Sequence, residues 1–179
     1  MNKLVERLKN ISVQLYFPRL PTLENCTITC YTDASFRNLP NEGSQAGFII
    51  FLESDAGHRR CPIYWQSRKI DRVVDSTLAA EILALHEGAK TSIYLAALIK
   101  DMFKDAKIKV KCITDNKSLV DALESEKMVK DRWLRLHMLG INEMIVKGEV
   151  DKVQWTDSKN QLADALTKKG ICRQANTLN

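Results

Sequence analysis

Three stretches in the first third of the chain alternate between apolar and polar residues. They cover residues 26–33, 45–52 and 61–65, and the segments between them are rich in Asn, Pro, Gly and Ser. Alternation with a period of two is typical of strands that are buried on one side, and these separations favour hairpin connections. The pattern therefore predicts three antiparallel strands.

The period changes after residue 75. Apolar residues then recur at spacings of three and four, as in a helix with one buried face: Leu78, Ile82, Leu85, Ala89, Ile93 and Ala96. The segment Asp75-Ser76-Thr77 offers side chains that can cap the first turn. We therefore predict one long helix that continues to about residue 103.

The same two periods predict two further strands and two further helices. The strands are residues 108–114 and 150–156, and the helices are residues 116–125 and 131–146, with Gly148 ending the second helix. This order predicts an α/β fold in which helices flank a mixed five-stranded sheet. The first strand and residues 108–114 can be parallel neighbours, because a long helix connects the two halves of the sheet.

A final helix is predicted from its capping signals. Ser158 and Gln161 have the spacing of a capping box, in which the two residues exchange side-chain and backbone hydrogen bonds. The helix then runs through Lys168 and stops at Gly170, because Gly is common at helix ends.

The chain has the size of one domain. Its 179 residues are 45% apolar, which is enough to bury a core and excludes disordered and collagen-like proteins. We predict an N-terminal arm or linker at residues 1–25, where Pro18 and Pro21 interrupt regular structure, one domain at residues 26–170 and a tail at residues 171–179.

The sequence also predicts where the protein works. No apolar stretch reaches the ~20 residues that cross a bilayer, and the first residues lack the apolar region of a secretory signal. The five cysteines are odd in number, form no C-x-x-C pair and have no His at zinc-finger spacing. We therefore expect an intracellular protein, cytoplasmic or nuclear, that is not secreted, has no membrane partner and keeps its thiols reduced.

The charge balance is mildly basic. The net charge is +5 and the pI is near 8.9, which suits a polyanionic partner but is shared by many other proteins. The alternative interpretation is that these charges only keep a surface face of the protein solvated. The residues that could form a basic rim for a nucleic-acid backbone are Arg68, Lys69, Arg72, Lys117, Lys127, Lys130 and Arg132.

Two aspartates end predicted strands. Asp33 follows the first strand and Asp115 follows the strand at residues 108–114. Ligand sites of α/β sheets gather at the carboxyl ends of parallel strands, so two parallel neighbours would bring these side chains together. Either residue alone is more often a turn former or a helix cap.

Two further acids lie in otherwise apolar helical segments. Glu81 is near the start of the long helix, where it would also favour the helix dipole without any function. Asp164 lies in the last helix, and Asn160 is one turn before it on the same predicted face. If these acids converge with Asp33 and Asp115, cations or protons must offset a repulsion of about 4 kcal/mol for each pair at 4 Å. Oxygen ligands favour Mg²⁺ or Mn²⁺, and two such ions suit phosphodiester hydrolysis.

Four sequence blocks occur in order along the chain. They are TDASF at residues 32–36, WQSRKI followed by STLAAE at 65–81, TDNKSLVDAL at 114–123, and VQW followed by NQLADALTKKG at 153–170. Together they resemble the ribonuclease H domain at the end of the polymerase polyprotein of copia-type LTR retrotransposons. The resemblance implies a ribonuclease H fold and a two-metal endonuclease that cuts the RNA strand of an RNA–DNA hybrid during reverse transcription.

The resemblance also implies roles for individual residues. It assigns catalytic and metal-ligand roles, with two Mg²⁺ ions that Mn²⁺ can replace, to Asp33, Glu81, Asp115 and Asp164. It assigns substrate contacts to Ala34 and Ser35 at RNA 2′-hydroxyls, to Ser76 and Thr77 at a DNA phosphate, and to Asn160 near the last carboxylate. The implied partners are an RNA–DNA hybrid and a reverse transcriptase domain upstream in the same polyprotein.

One feature departs from cellular ribonucleases H, which carry a His in the loop before the last catalytic Asp. The corresponding residues 156–159 contain none.

Two other interpretations of the sequence stay open. A transposase or integrase core has the same fold, although its Glu comes last, whereas the order here is Asp, Glu, Asp, Asp. A domesticated or catalytically weak domain that only binds nucleic acid would have kept all four acids.

Overall fold

The computed structural model describes residues 17–20, 23, 25–39, 42–54, 59–125 and 131–168 of the chain. Five strands lie in these residues: β1 (Asn25–Ser35), β2 (Gln45–Ser54), β3 (Arg59–Lys69), β4 (Lys107–Thr114) and β5 (Lys152–Trp155). The helices are α1 (Thr77–Met102), α2 (Lys117–Glu124), α3 (Arg132–Val146) and α4 (Asp164–Thr167), with a 3₁₀ turn at Ser158–Asn160.

The strands form one mixed sheet in the order β3-β2-β1-β4-β5. The pairs β1–β2 and β2–β3 are antiparallel, whereas β1–β4 and β4–β5 are parallel. Thr32 of β1 lies opposite Thr114 of β4, so the next residues, Asp33 and Asp115, lie at the same edge of the sheet. The predicted α/β fold with a mixed five-stranded sheet is confirmed.

The long helix α1 packs against β1, β2 and β4. Ser76 caps it, as the sequence predicts, because its Oγ accepts a hydrogen bond from Ala79 N at 3.2 Å. The helix lies very close to β1 at Gly88, where a Cβ atom would come within 2.8 Å of Cys30 Sγ and Thr32 Cγ2. By length and composition α1 could cross a membrane, but in this fold the sheet covers its buried face.

Side-chain caps define the starts of α2 and α3. Asn116 Oδ1 accepts from Leu119 N at 3.0 Å, and Asp131 Oδ1 accepts from Trp133 N at 2.7 Å. Both capping residues precede their helices by one position, so each predicted helix starts one residue later. After α3 the chain turns at Gly148, whose φ of 70° is a conformation that glycine adopts without a Cβ clash.

The last helix differs from the prediction. Residues Ser158–Asn160 form a separate 3₁₀ turn. Asp157 caps this turn, since its Oδ1 accepts from Lys159 N at 2.9 Å. The helix α4 begins only at Asp164 and has four residues. The prediction of one continuous helix from residue 158 to residue 168 is therefore wrong.

The predicted capping box fails because the side chain of Gln161 has other partners. Its Nε2 donates to the backbone oxygen of Thr32 at 2.9 Å, and its Oε1 accepts from Ala163 N at 3.2 Å. Gln161 itself has an extended backbone, with φ −79° and ψ 102°. Asn160 and Asp164 therefore do not share one helix face, contrary to the prediction.

Several predicted features lie outside the described residues. These are residues 1–16, 21, 22 and 24 of the arm, including Pro21, the predicted helix stop at Gly170, the tail at residues 171–179 with Cys172, and the basic residues Lys127 and Lys130. In the described part of the arm, Leu20 and Leu23 pack against the core. Cys30 and Cys112 are buried side by side in β1 and β4, Cys61 is half-buried, and none of these three thiols is in a disulfide.

Candidate active site

Three carboxylates meet at the edge of the sheet. Asp33 lies near the end of β1, Asp115 follows β4 directly, and Asp164 opens α4. Each offers an oxygen, and these three atoms all lie within 4.8 Å of one another. Parallel pairing of β1 with β4 explains the first two positions, whereas the third depends on how α4 packs on β1 and β2. This arrangement can hold a divalent cation through oxygen ligands.

Asp33 is the most buried of the three, with 5% of its surface exposed. The pKa of its carboxyl group is raised to about 6, and burial is the largest cause. The hydroxyl of Thr167, which donates to Oδ2, lowers this pKa, whereas the charges of Asp164 and Asp115 raise it. The raised pKa measures how costly it is to ionise Asp33 in this place without a cation.

Glu81 lies beside this group on the first turns of α1 and is only 3% exposed. Its Oε1 accepts a hydrogen bond from Ala34 N at 3.2 Å, and its Oε2 is buried without a partner. Burial, followed by the nearby charge of Asp33, raises the pKa of Glu81 to about 9. Without a cation this carboxyl group is therefore protonated at neutral pH.

Two residues from the end of β5 and the turn after it form hydrogen bonds with Asp115. Ser158 Oγ donates to its Oδ2 at 2.7 Å. Trp155 Nε1 donates to its backbone oxygen at 3.0 Å. The hydroxyl group of Ser158 therefore restrains one carboxylate oxygen of Asp115.

Asp164 combines an ion pair with an unpartnered oxygen. The ammonium group of Lys168 contacts its Oδ2, one helical turn later. Its Oδ1 is buried and has no hydrogen-bond partner, as is also the case for Glu81 Oε2. Buried carboxylate oxygens are costly when unpartnered. A divalent cation held by Asp33, Asp115 and Asp164 would offset this cost at Asp164. The unpartnered Oδ1 and the oxygen donors of Asp33, Asp115 and Asp164 fit a divalent cation. The fourth predicted ligand, Glu81, is not among the three acids whose oxygens lie within 4.8 Å of one another.

The residues that the resemblance assigns to substrate binding differ in exposure and in hydrogen bonding. Ala34 is buried and its backbone N–H already donates to Glu81. Ser35 Oγ donates to Thr167 O at 3.1 Å. Ser76 is half-buried in its capping role, and its neighbour Thr77 is exposed. Their contacts with a nucleic acid stay predictions.

Asn160 is exposed at the end of the 3₁₀ turn. No hydrogen bond of its side chain is among those formed by the described residues. Its predicted place beside Asp164 depended on the continuous helix, so that argument no longer supports it.

Sequence reasoning missed several residues of the site. Thr167 and Lys168 follow Asp164 by three and four positions, a helical spacing from which their contact with the site could have been predicted. Ser158 and Trp155 gave no such signal, because both reach Asp115 from a different strand and loop.

Comparison with known proteins identifies the fold. No protein-family model matches the sequence, and no curated protein does either. One similar structure is the N-terminal ribonuclease H domain of Rv2228c from Mycobacterium tuberculosis, which was solved as a fusion with maltose-binding protein. It superposes with a TM-score of 0.56 and 17% sequence identity over 80% of this chain and 91% of that chain. The chain has the ribonuclease H fold.

Two further solved structures share this fold. LC11-RNase H1, in complex with an RNA/DNA hybrid, superposes with a TM-score of 0.54 and 17% identity over 78% of this chain and 93% of that chain. The protease-reverse transcriptase of prototype foamy virus superposes with a TM-score of 0.51 and 16% identity over 83% of this chain and 21% of that chain. This chain therefore corresponds to about a fifth of the viral protein.

Proposed function

We propose that the chain is a divalent-metal-dependent ribonuclease H that hydrolyses the RNA strand of RNA–DNA hybrids. The observation that carries the proposal is the meeting of Asp33, Asp115 and Asp164 on a ribonuclease H fold, with one oxygen of each within 4.8 Å of the others. Buried Glu81 beside them completes the four acids that the motif resemblance assigns to catalysis.

Two Mg²⁺ ions, which Mn²⁺ can replace, are the proposed cofactor, and the four acids would hold them. When bound, such ions supply positive charge to the attacking and leaving oxygens of an in-line phosphodiester displacement. The protein holds the ligands in place: Ser158 restrains Asp115, and Thr167 restrains Asp33. The burial of Asp33 and Glu81 keeps water away from two of the ligands.

The proposed substrate contacts surround this group. Ser35 lies two residues after Asp33 on β1, and its hydroxyl oxygen, whose proton is donated to Thr167 O, can accept from the 2′-hydroxyl groups that distinguish RNA from DNA. Thr77 is exposed at the start of α1, where the free backbone N–H groups of a helix favour phosphate. Binding of a hybrid is further supported by the similar LC11-RNase H1, which was solved in complex with one.

We also propose a biological setting. The order of the four sequence blocks supports a copia-type retrotransposon polyprotein, in which residues 26–170 form the ribonuclease H domain next to a reverse transcriptase domain. The similarity to part of the foamy viral protease-reverse transcriptase supports the same setting. Expression with the upstream polymerase region should raise activity on long hybrids if the two domains share one substrate.

A cleavage assay tests the proposed activity. The purified chain is incubated with an end-labelled RNA–DNA hybrid, an RNA duplex and a DNA duplex of the same sequence, each with Mg²⁺, with Mn²⁺ or with a chelator. We expect cuts in the RNA strand of the hybrid only, and only with metal. Binding to the hybrid without any cleavage would support the purely nucleic-acid-binding alternative, and strand transfer or cutting of duplex DNA would support a transposase-type core.

Asp164 and Asp157 provide a matched pair for this assay. Asp164→Asn should lower the cleavage rate strongly at low Mg²⁺ and be partly rescued by Mn²⁺, which binds a depleted oxygen site more tightly. Asp157→Asn should be mild, because an Asn oxygen can still accept the capping bond from Lys159 N. Metal titrations of the rate distinguish the two, and a reversed order of effects would remove Asp164 from the ligand set.

Hybrid binding should depend on salt and on the basic residues at the carboxylate edge of the sheet. Charge reversal of Lys69, Arg72 and Lys117, all exposed there, should weaken binding and reduce the slope of log K against log salt by about 0.7 to 0.9 for each lost phosphate contact. The matched control reverses three exposed lysines near the opposite edge, Lys104, Lys107 and Lys109. Equal effects of both triple variants would contradict this placement of the nucleic acid.

A further inference from the structure

One buried side chain joins the segments that carry Asp33 and Asp164. Gln161 is only 4% exposed, and both ends of its amide are bonded. Its Nε2 donates to the backbone oxygen of Thr32, 129 positions away, at 2.9 Å. Its Oε1 accepts from Ala163 N at 3.2 Å. Gln161 therefore contacts the residue immediately before each of the two acids.

Helix α4 needs such external support. It has four residues, and Ala163 at its N-cap makes no side-chain capping bond, so the helix is too short to be stable by itself. Repulsion between the carboxylates of Asp164 and Asp33 also favours movement of α4 away from β1 when no cation is bound. Contacts with the sheet must therefore hold Asp164 in place.

The two ends of α4 are held very differently. At its C-terminal end, the oxygens of Leu166 and Thr167 accept hydrogen bonds of 2.6 to 3.1 Å from four side chains of the sheet and the loop after β1: Ser35, Asn38, Gln45 and Ser67. The hydroxyl of Thr167 at this same end also donates to Asp33. At the N-terminal end, where Asp164 lies, Gln161 is the one described residue whose side chain bonds to the sheet. Loss of one of the four donors leaves three, whereas loss of Gln161 leaves this end without its bond to β1.

We propose that Gln161 is a positioning residue that fixes Asp164 relative to Asp33 and thereby sets the affinity of the site for divalent cations. The proposal rests on the proposed function, because it assumes that these two acids share a metal site. A positioning role differs from a merely structural one in a measurable way. A structural residue would change the stability of the protein, whereas a positioning residue also changes the metal affinity of molecules that are folded.

Gln161→Met tests the proposal, because it removes both hydrogen bonds with little change in side-chain length. The matched control is Gln154→Met on β5, where the side chain is exposed. Mn²⁺ binding is measured by titration calorimetry on folded protein, and cleavage of the hybrid is measured against metal concentration. We expect Gln161→Met to weaken Mn²⁺ binding at least tenfold and to regain most of its cleavage rate at saturating Mn²⁺, while Gln154→Met matches the unsubstituted protein.

Gln161→Asn is the second variant, for use if Gln161→Met does not fold. It keeps an amide group but is too short to reach both Thr32 and Ala163, so the same weakening is expected. A folded Gln161 variant that binds Mn²⁺ within twofold of the unsubstituted protein would overturn the positioning role. Failure of the proposed function has a different result: the unsubstituted protein then binds Mn²⁺ without cleaving the hybrid, or binds no Mn²⁺ at all.

Discussion

Asp33→Asn should abolish hydrolysis of the hybrid and, in metal-free buffer, raise the melting temperature. The rate should fall ~1000-fold or more, since the change removes a ligand from the centre of the site. Stability should rise because Asp33 is buried close to Asp115 and Asp164, and its pKa of about 6 reflects the cost of that position. An uncharged amide of the same shape avoids this cost while its oxygen can still accept from Thr167.

Asp115→Asn should behave in the same way with a smaller gain in stability, because Asp115 is only half-buried. The control is Asp121→Asn on α2, an exposed acid away from the site, which should leave both the rate and the melting temperature unchanged. Single-turnover cleavage and thermal unfolding in a chelator provide the two measurements. A rate near that of the unsubstituted protein in either site variant would contradict the assignment.

The metal-free protein should lose stability as the pH rises from 6 to 8. In the folded protein the pKa of Glu81 is about 9, against 4.5 for an ordinary Glu, so in this range the folded state keeps a proton that the unfolded state has lost. Unfolding then releases a proton, and each pH unit lowers the free energy of unfolding by up to about 1.4 kcal/mol. Asp33, with a pKa of about 6, adds to the loss mainly below pH 6.

Denaturant unfolding in a chelator at several pH values measures this slope. Glu81→Gln should flatten it above pH 6, because the group that takes up the proton is gone, whereas Glu149→Gln, an exposed acid before β5, should not. Saturating Mg²⁺ should also flatten it, since a bound cation favours the ionised carboxylate. A metal-free protein whose stability is constant from pH 6 to pH 8 would show that Glu81 is ionised in the folded state.

Most of the fold could be predicted from the chain itself. The change from a period of two to spacings of three and four separates the strand region from α1, and it does so because each element buries one face. The same pattern, with Asp33 and Asp115 after two strands that a long helix connects, predicts that these two acids meet. Parallel pairing of β1 with β4, with Thr32 opposite Thr114, is the geometry that this prediction requires.

Only the tertiary structure decided the position of Asp164 and the state of Glu81. A capping box is a local signal. The side chain of Gln161 does not form it, because its amide makes a buried hydrogen bond with the backbone oxygen of Thr32, 129 positions away. The raised pKa of Glu81 likewise comes from burial under the sheet and from the charge of Asp33. Sequence periodicity reports local preferences, whereas these features depend on contacts between distant residues, which form only when the chain is folded.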